Sequence, residues 1–375
     1  MILIINASNL RIGGGIQVAL SIIRECTNFN SNCYHVFVSP VISAQINQKE
    51  FPDNFQFYTI QNTPSSLRHS LSTIHQLRKL ENTIKPDCVL SIFGPSYWTP
   101  EAPHLLGFAQ GYYLYPESPF FNRISVIFAI KINIRKNIHR HLFKCNSNFF
   151  YVETEDAKLR LTSFLGNKKE NNYVVSNTYN SIFNLPFNRS RILPVKKNNQ
   201  IRLLTIASYY KHKNLEIINE VASELKKKCT LNFSFVLTIN HDIFKKRFID
   251  SKDDIINLGP VPIHLCPNIY HECDFLFLPT LVEIFTASYP EAMKMKKPIL
   301  TSDLPFAKEI CGNAAEYFNP LNPEEIADKI IRLAYNQSRQ KELILKGEMR
   351  LLEFETPKSR AEKLISICNE ISLKL

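Results

Sequence analysis

The chain has 375 residues, of which 45% are hydrophobic and 21% charged, a balance that excludes a wholly disordered protein. Lys and Arg number 45 against 34 Asp and Glu, so the formal net charge is +11. The nine cysteines include no C-x-x-C pair, which argues against a zinc ribbon, and their odd number argues against a disulfide framework. No apolar stretch reaches the about 18 residues that a membrane span needs, and the length predicts two domains.

Short apolar runs alternate with helix-period segments along nearly the whole chain. Strands are predicted, in chain order, at residues 2–5, 35–38, 57–60, 88–92, 105–108, 149–152, 173–175, 202–206, 233–238, 255–257, 275–278, 299–301 and 315–318. Helices are predicted between them, for example at residues 16–26, 215–228 and 324–334. This βαβ rhythm predicts α/β architecture with parallel sheets.

The rhythm breaks once, between residues 176 and 200, where Asn, Pro and Lys crowd together. That stretch is predicted to be a linker between a domain of residues 1–185 and a domain of residues 200–353. Two Rossmann-like, doubly wound domains with an interdomain cleft are therefore expected. The cleft is the default ligand site, because ligands of such sheets bind at the carboxyl ends of the strands.

Three of the ten glycines stand together at Gly13, Gly14 and Gly15, after the first strand and at the start of a helix. Backbone without Cβ atoms lets a diphosphate come close, and a helix N-terminus favours negative charge. Val18 stands where a G-x-G-x-x-G motif has its third glycine, which disfavours a nicotinamide dinucleotide. A tight strand-to-helix turn without a ligand is the alternative.

Lys213 follows the first strand of the second domain and precedes a predicted helix. The helix dipole does not favour a cation there, so the lysine makes more sense if it shares an anion with the helix N-terminus. A solvated basic loop is the alternative.

Glu283 and Glu291 are separated by seven residues, the first in a predicted loop and the second in a predicted helix. Carboxylates accept hydrogen bonds from vicinal diols, so one can hold sugar hydroxyls and the other a ribose. The amides of Thr286, Ala287 and Ser288 can cap phosphate oxygens. An acidic first helical turn is the alternative; it accounts for Glu291 but not for Glu283.

The segment from Glu283 to Glu291, with Ala292-Met293 and residues 297–302 after it, resembles the signature of retaining glycosyltransferases of family 4. The Lys213-Asn214 loop, the glycine loop and residues 174–177 resemble that family in the same order. The resemblance implies the GT-B fold, a UDP- or GDP-linked sugar donor in the second domain and an acceptor in the first. It also implies no cofactor, independence of metals, and a C-terminal helix, residues 354–375, that crosses back to the first domain.

The resemblance implies a role for individual residues. Glu283 is expected to contact the hydroxyls of the donor sugar, Glu291 to contact the ribose, and Lys213 to neutralise the diphosphate. The remaining donor contacts that it implies are Thr286, Ala287 and Ser288 on sugar and phosphate, and Gly14 and Gly15 on the diphosphate. Two departures stand out. Ser208, which is also expected to bind the donor, occupies the place of an arginine found in many members, so neutralisation of the phosphates depends more on Lys213. Gln110 occupies the place of a histidine.

The function expected from the resemblance is transfer of a hexosyl or N-acetylhexosaminyl group to a glycan, with a lipid-linked acceptor in bacterial surface polysaccharide (O-antigen, lipopolysaccharide or capsule) biosynthesis. A GT-B sugar-nucleotide epimerase or hydrolase, and a non-catalytic GT-B binding subunit, are the alternatives. The tyrosine-rich segment 110–118 is expected on the acceptor side, through Gln110, Tyr112 and Glu117.

Residues 131–144 form a basic amphipathic helix, with cations in rows at i, i+4 and i+8 and isoleucines along another face. Such a helix can lie on an anionic membrane; packing of the isoleucines in the core is the alternative. The sequence has no RNP, helix-turn-helix or zinc-finger pattern, so nucleic acid is not expected as a partner. The apolar N-terminus is too short for a signal peptide. The expected location is cytoplasmic, with peripheral contact at the inner face of the plasma membrane.

Overall fold

The computed structural model describes residues 1–66, 68–187, 190–248 and 252–374. Residues 188 and 189 of the predicted linker, residues 249–251 and residue 375 of the predicted last helix lie outside the described residues. The chain forms two compact units. The first comprises residues 1–116, 124–177 and 355–375, and the second comprises residues 117–123 and 178–354.

The described residues of the first unit form a seven-stranded parallel sheet with the strand order β3-β2-β1-β4-β5-β6-β7. Its strands are β1 (Ile2–Ala7), β2 (Cys33–Val38), β3 (Phe55–Thr59), β4 (Cys88–Ser91), β5 (His104–Gly107), β6 (Phe149–Val152) and β7 (Asn172–Val174). The described residues of the second unit form a six-stranded parallel sheet with the order β10-β9-β8-β11-β12-β13. Its strands are β8 (Gln200–Thr205), β9 (Asn232–Leu237), β10 (Ile255–Asn257), β11 (Phe275–Leu278), β12 (Ile299–Ser302) and β13 (Ala315–Phe318).

Helices connect the strands. Within the described ranges they are α1 (Gly15–Glu25), α2 (Pro40–Ser43), α3 (Ser70–Ile84), α4 (Gly111–Leu114), α5 (Val126–Asn146), α6 (Glu155–Leu165), α7 (Ile217–Lys228), α8 (His241–Arg247), α9 (Cys266–Glu272), α10 (Ser288–Lys294), α11 (Pro305–Cys311), α12 (Pro323–Tyr335), α13 (Gln337–Leu351) and α14 (Pro357–Ser372). The prediction of two Rossmann-like, doubly wound α/β sheets is confirmed.

The first sheet is apolar on both faces because its strands are covered on both sides. In β1, Leu3 and Ile5 join the apolar cluster that contains residues of α1 and α14. Ile4 points the other way and joins Phe37 and Trp98. Such double coverage is why the parallel strands read as continuous apolar runs in the sequence.

Helix α14 brings the chain back to the first unit. Thr356 and Ser359 exchange hydrogen bonds at its N-terminus as a capping box. Leu364 and Cys368 lie in the same buried cluster as Ile5 of β1. The last helix is therefore part of the core of the first unit.

Polar contacts join the two places where the chain leaves and re-enters the first unit. The backbone N–H of Ser176 donates to the Glu355 carboxylate at 3.0 Å. The buried Arg360 guanidinium donates to Asn177 Oδ1 and, at 2.8 Å, to Ser21 Oγ. The departing and returning segments are thereby fixed beside each other in the first unit.

The segment 117–123 differs from its predicted position. The sequence placed Glu117 in the first domain, on the acceptor side, whereas the structure assigns residues 117–123 to the second unit. The physical reason is a set of hydrogen bonds. Ser118 Oγ donates to the Leu281 carbonyl at 2.7 Å, and Arg123 Nη1 donates to Asn214 Oδ1 at 2.9 Å.

Helix α5 contains the predicted basic helix and packs through a face that the sequence did not indicate. Phe143 and Asn146 are buried, and His139 lies between the hydroxyls of Tyr97 and Tyr113, at 3.1 Å from each. The alternative in which the isoleucines pack in the core is wrong, because most of them are exposed on the opposite face. Among the described helices, none is long and apolar enough to cross a membrane.

A buried polar chain crosses the first sheet near His104. His104 Nδ1 lies 2.7 Å from the Asn146 carbonyl and therefore donates to it, which leaves Nε2 to accept from Ser91 Oγ at 2.8 Å. Ser91 Oγ in turn accepts from Asn6 Nδ2 at 3.1 Å. Burial lowers the pKa of His104 to about 4, against the opposing effect of its hydrogen bond to Asn146. The fold thus requires a neutral imidazole.

We expect His104 to make the protein less stable in acid. Below its unfolded pKa of about 6.5 the unfolded chain takes up a proton that the folded chain refuses until about pH 4, so stability falls as the pH falls through this range. His104→Gln should therefore show a flatter dependence of melting temperature on pH than the wild type between these values. His75→Gln, on the exposed side of α3, is the matched control and should keep the wild-type slope. Parallel curves for the wild type and the His104 variant would contradict this.

Candidate active site

The candidate site of the second unit is built where the order of its parallel strands reverses. Strands β8 and β11 are neighbours, with Leu203 beside Phe275 and Leu204 beside Leu276. The connections that follow them leave from the same edge of the sheet, at the switch point where α/β proteins bind ligands. The first connection carries Lys213 and the second carries Glu283.

The connection after β8 is fixed by Asn214. Residues Lys211–Lys213 form a 3₁₀ turn that ends at Asn214 in the left-handed conformation, with φ of 53°. Asparagine tolerates this conformation better than most residues. Its side-chain amide also donates to the Pro320 carbonyl at 2.8 Å, so the backbone that carries Lys213 is held from both sides.

The connection after β11 is tied to the first one. The backbone N–H of Leu281 donates to the His212 carbonyl at 2.7 Å, and the Leu281 carbonyl accepts from Ser118 Oγ. Arg123 donates to Asn214 in the first connection, so the segment 117–123 holds both connections through hydrogen bonds. Lys213 and Glu283 therefore stand on backbone that is braced by hydrogen bonds rather than on open loops.

Lys213 and Glu283 form an ion pair in which Lys213 Nζ donates to Glu283 Oε1. His212 Nε2 lies 3.5 Å from the same oxygen, and the Tyr210 ring stacks on the His212 ring with centroids 5.4 Å apart. The side chains of Lys213, His212 and Glu283 are 13%, 15% and 16% exposed. Two nitrogen groups thus hold one largely buried carboxylate.

The charge state of Glu283 follows from these neighbours. Burial by itself raises the pKa of its carboxyl, but the Lys213 ammonium and His212 outweigh that effect and lower the pKa to about 2. Glu283 is therefore a carboxylate at neutral pH and can only accept hydrogen bonds.

Glu291 lies inside α10 in a different environment. It is 7% exposed, and its Oε2 lies 3.0 Å from the Tyr270 hydroxyl, which also lies 3.2 Å from the Ser288 carbonyl. Burial raises the pKa of Glu291 to about 7, despite the hydrogen bond from Tyr270. When Glu291 is protonated, its carboxyl can donate to the Tyr270 oxygen. The Tyr270 hydroxyl can then donate to the Ser288 carbonyl. The two acidic residues of the predicted motif thus differ in protonation near neutral pH.

The other residues of the second unit that are predicted to bind the donor lie in the same two connections or at the start of α10. Thr286 and Ala287 are half-buried and directly precede α10, where their carbonyls accept from the backbone N–H groups of Tyr289 and Glu291. Ser288 Oγ donates to the Ile206 carbonyl at 3.5 Å, which joins α10 to the end of β8. Ser208 lies exposed in the connection after β8.

Gly14, Gly15, Gln110 and Tyr112 belong to the first unit. Gln110 precedes α4 after β5, and Tyr112 is a half-buried residue of that helix. The Gln110 carbonyl accepts from the backbone N–H of Tyr113 at 3.0 Å.

The local structure explains the presence of glycine differently at each of the three clustered positions. Gly13 has φ of 80°, which explains a glycine there. A Cβ on Gly15 would meet Leu10 and Phe93 at 3.5 Å, an ordinary contact, and a Cβ on Gly14 would meet no described atom within 4 Å. Packing within the described structure therefore does not require glycine at position 14.

Comparison with known proteins gives a family for part of the chain. Residues 200–336 match the family model described as Glycosyl transferases group 1. These residues hold Lys213, Glu283 and Glu291. A comparison with curated protein sequences gave no match.

Solved structures resemble the whole chain. A glycosyltransferase from Rickettsia africae superposes with a TM-score of 0.73 at 15% identity, covering 99% of this chain and 98% of that chain. Anabaena HepE in complex with UDP and glucose gives 0.71 at 13% identity, covering 98% of each chain. WaaG, a glycosyltransferase involved in lipopolysaccharide biosynthesis, gives 0.71 at 12% identity, covering 98% of this chain and 99% of that chain. The chain has the GT-B fold.

Within this GT-B chain, several residues of the site were not predicted from the sequence. His212 contacts Glu283 and stands next to Lys213, so its position in the motif was a usable signal. Tyr270 contacts Glu291 from α9, 21 residues away, and nothing in the local sequence pointed to it. Among the described residues, no group of three or more His, Cys, Asp or Glu side chains could hold a metal ion.

We expect a strong energetic coupling between Lys213 and Glu283. Removing either partner leaves a largely buried charge without its counterion, so Lys213→Met and Glu283→Gln should each destabilise the protein. The double variant should lose less than the sum of the two, with a coupling of about 1–3 kcal/mol in a double-mutant cycle measured by chemical unfolding. The more exposed pair Lys228–Asp328, at 2.6 Å, is the control, for which coupling below about 1 kcal/mol is expected. Equal coupling in the two cycles would be evidence against this account of the site.

Proposed function

We propose that the chain is a retaining glycosyltransferase of family 4 that moves a hexosyl or N-acetylhexosaminyl group from a UDP- or GDP-linked donor to a glycan acceptor. The observation that carries the proposal is the buried Lys213–Glu283 pair at the switch point of a Glycosyl transferases group 1 domain. One side chain of the pair suits a diphosphate and the other suits sugar hydroxyls.

The proposed chemistry follows from these charges. Breaking the bond between the anomeric carbon and the diphosphate oxygen builds negative charge on the leaving diphosphate. The Lys213 ammonium would neutralise that charge, which is the largest kind of stabilisation an active site offers. His212 would continue to hold Glu283 while Lys213 turns to the diphosphate, so that the carboxylate stays in place for the sugar hydroxyls. Thr286, Ala287 and Ser288 would line the sugar and phosphate.

Retention of configuration is part of the proposal through the family 4 resemblance. The acceptor hydroxyl would attack the face that the diphosphate leaves, and a leaving phosphate oxygen would take the acceptor proton. This route needs no enzyme nucleophile, and the proposal includes no cofactor and no metal ion.

Gly14 supports a ligand near the glycine loop. A Cβ there would meet no described atom of the protein, so neither steric packing nor a positive φ accounts for the missing side chain. We propose that Gly14 and Gly15 let donor phosphates approach the backbone. A close approach of a ligand to the backbone is one of the reasons for glycine in such loops.

The proposed acceptor is a lipid-linked glycan of a bacterial surface polysaccharide, such as O-antigen, lipopolysaccharide or capsule. WaaG, which shares the fold, is involved in lipopolysaccharide biosynthesis. Gln110, Tyr112 and Glu117 are proposed on the acceptor side. A lipid-linked acceptor would keep the protein peripherally at the inner face of the plasma membrane, in contact with anionic lipid through residues 131–144.

We expect Lys213→Ala to lower donor turnover by about 10² to 10³, because it removes the charge that stabilises the leaving diphosphate. Glu283→Gln should lower it strongly as well, since an amide replaces the carboxylate that accepts from the sugar. The matched control is Lys211→Ala, an exposed lysine of the same 3₁₀ turn, which should keep most of the turnover. Nucleotide release from UDP- and GDP-sugars, with melting temperature as a folding check, gives the measurement.

The same assay distinguishes the proposal from its rivals. Transfer requires that nucleotide release depend on a lipid-linked acceptor. Release of free sugar or an epimer without acceptor would instead establish a hydrolase or epimerase. Donor binding without turnover would establish a binding subunit.

We expect UDP to bind more tightly as the pH rises from 6 to 8. The ionised Glu291 carboxylate can accept from both ribose hydroxyls, and with a pKa of about 7 it must first lose a proton at the lower pH. The gain should be about tenfold for the wild type and largely absent in Glu291→Gln. Titration calorimetry at several pH values measures both, and the variant corrects for protonation of UDP itself. A wild-type curve that parallels the variant would remove Glu291 from the ribose site.

A further inference from the structure

Helix α5 presents an apolar stripe to solvent. Ile127, Ile130, Ile134 and Ile138 follow one another at intervals of three or four residues, so they lie on one side of the helix. They are 68%, 53%, 56% and 56% exposed. Lone exposed apolar residues are ordinary on protein surfaces, whereas a continuous stripe of large ones indicates a surface that contacts something else.

The stripe lies opposite the side through which α5 packs. His139, Phe143 and Asn146 are among the residues through which the helix contacts the rest of the first unit. At about 100° per residue, these positions fall on the far side of the helix from the isoleucines. The stripe is therefore turned away from the core of its own unit.

Cations border the stripe along both edges. By the same helical geometry, Lys131 and Arg135 flank the isoleucines on one edge, and Arg140 and Lys144 flank them on the other. Of these four, Arg140 also contacts its own unit, since its guanidinium lies over the Phe164 ring, 5.9 Å from the ring centroid. The sequence of the helix, from Val126 to Asn146, contains no Asp or Glu. An apolar strip between two basic edges has the charge pattern of a helix that lies flat in an anionic lipid surface.

We propose that α5 docks on an anionic phospholipid bilayer by inserting this isoleucine stripe among the acyl chains, with its flanking cations on the lipid phosphates. The inference rests on the proposed function, which explains why the protein would contact a membrane. It adds which face of which helix makes that contact. Insertion of the isoleucines provides the hydrophobic part of the binding, and the cations select the anionic surface.

A second copy of the chain fits the stripe less well. Two copies of α5 meeting face to face would bring the basic edges of one helix against those of the other, and no acidic residue of the helix would compensate. Anionic headgroups supply the missing charge. The helix lies along the surface rather than across it, since it is not apolar enough to span a bilayer.

The test is sedimentation of the full-length protein with phosphatidylcholine vesicles, with and without about 30% phosphatidylglycerol. We expect binding to the anionic vesicles. Ile130→Gln together with Ile134→Gln should weaken it by about a hundredfold or more, since two side chains of this size are lost from the bilayer. The matched control is Leu345→Gln with Met349→Gln, an exposed pair at the same spacing on α13, which should bind as the wild type does.

A second variant reports insertion directly. The single native tryptophan, Trp98, is 1% exposed, so Ile134→Trp adds the only exposed indole. Its fluorescence should shift to the blue on anionic vesicles and be quenched by brominated acyl chains. Melting temperatures of all variants check that the fold is retained.

Two results would overturn the proposal. In the first, the isoleucine variant binds like the wild type while Lys131→Gln with Arg135→Gln abolishes binding, which would mean that charge alone makes the contact. In the second, vesicles do not bind and the isoleucine variant dissociates a dimer in solution, which would make the stripe an interface between copies. Turnover with a water-soluble acceptor is measured in parallel. Its absence alongside retained vesicle binding would count against the proposed function and not against the docking face.

Discussion

Parallel strands deliver all their carboxyl ends to one edge of a sheet, and this constraint decides where the chemistry of the protein can lie. In the second unit the strand order reverses between β8 and β11, so the connections that follow these neighbours begin side by side. Lys213 and Glu283 are 70 residues apart in sequence and meet for that reason. The remaining contacts of the site hold this meeting point in place, from the left-handed Asn214 to the bond between Leu281 and His212.

The strands could be predicted from the sequence because a strand that is buried on both faces is a continuous run of apolar residues. Every predicted strand has its counterpart in the two described sheets. The motif from Glu283 to Glu291 was readable for another reason. A carboxylate in a loop that no helix dipole explains calls for a ligand or a cation.

Contacts between distant segments could not be predicted in this way, because no local pattern accompanies them. Nothing local to Tyr270 marks it as the partner of Glu291, and the raised pKa of that carboxyl depends on burial that only the folded unit supplies. The sequence left the orientation of α5 open for a related reason. An amphipathic pattern shows that a helix has two faces, but it does not show that His139 and Phe143, rather than the isoleucines, turn towards the core.

The segment 117–123 bears on how such a protein can be recombined. It is separated in sequence from the rest of the second unit by residues 124–177, yet Ser118 and Arg123 brace the two connections that carry Lys213 and Glu283. A gene chimera joined at residue 178 would therefore inherit its bracing segment from one parent and its site from the other. To exchange the second unit between relatives of this fold, residues 117–123 have to be exchanged together with residues 178–354.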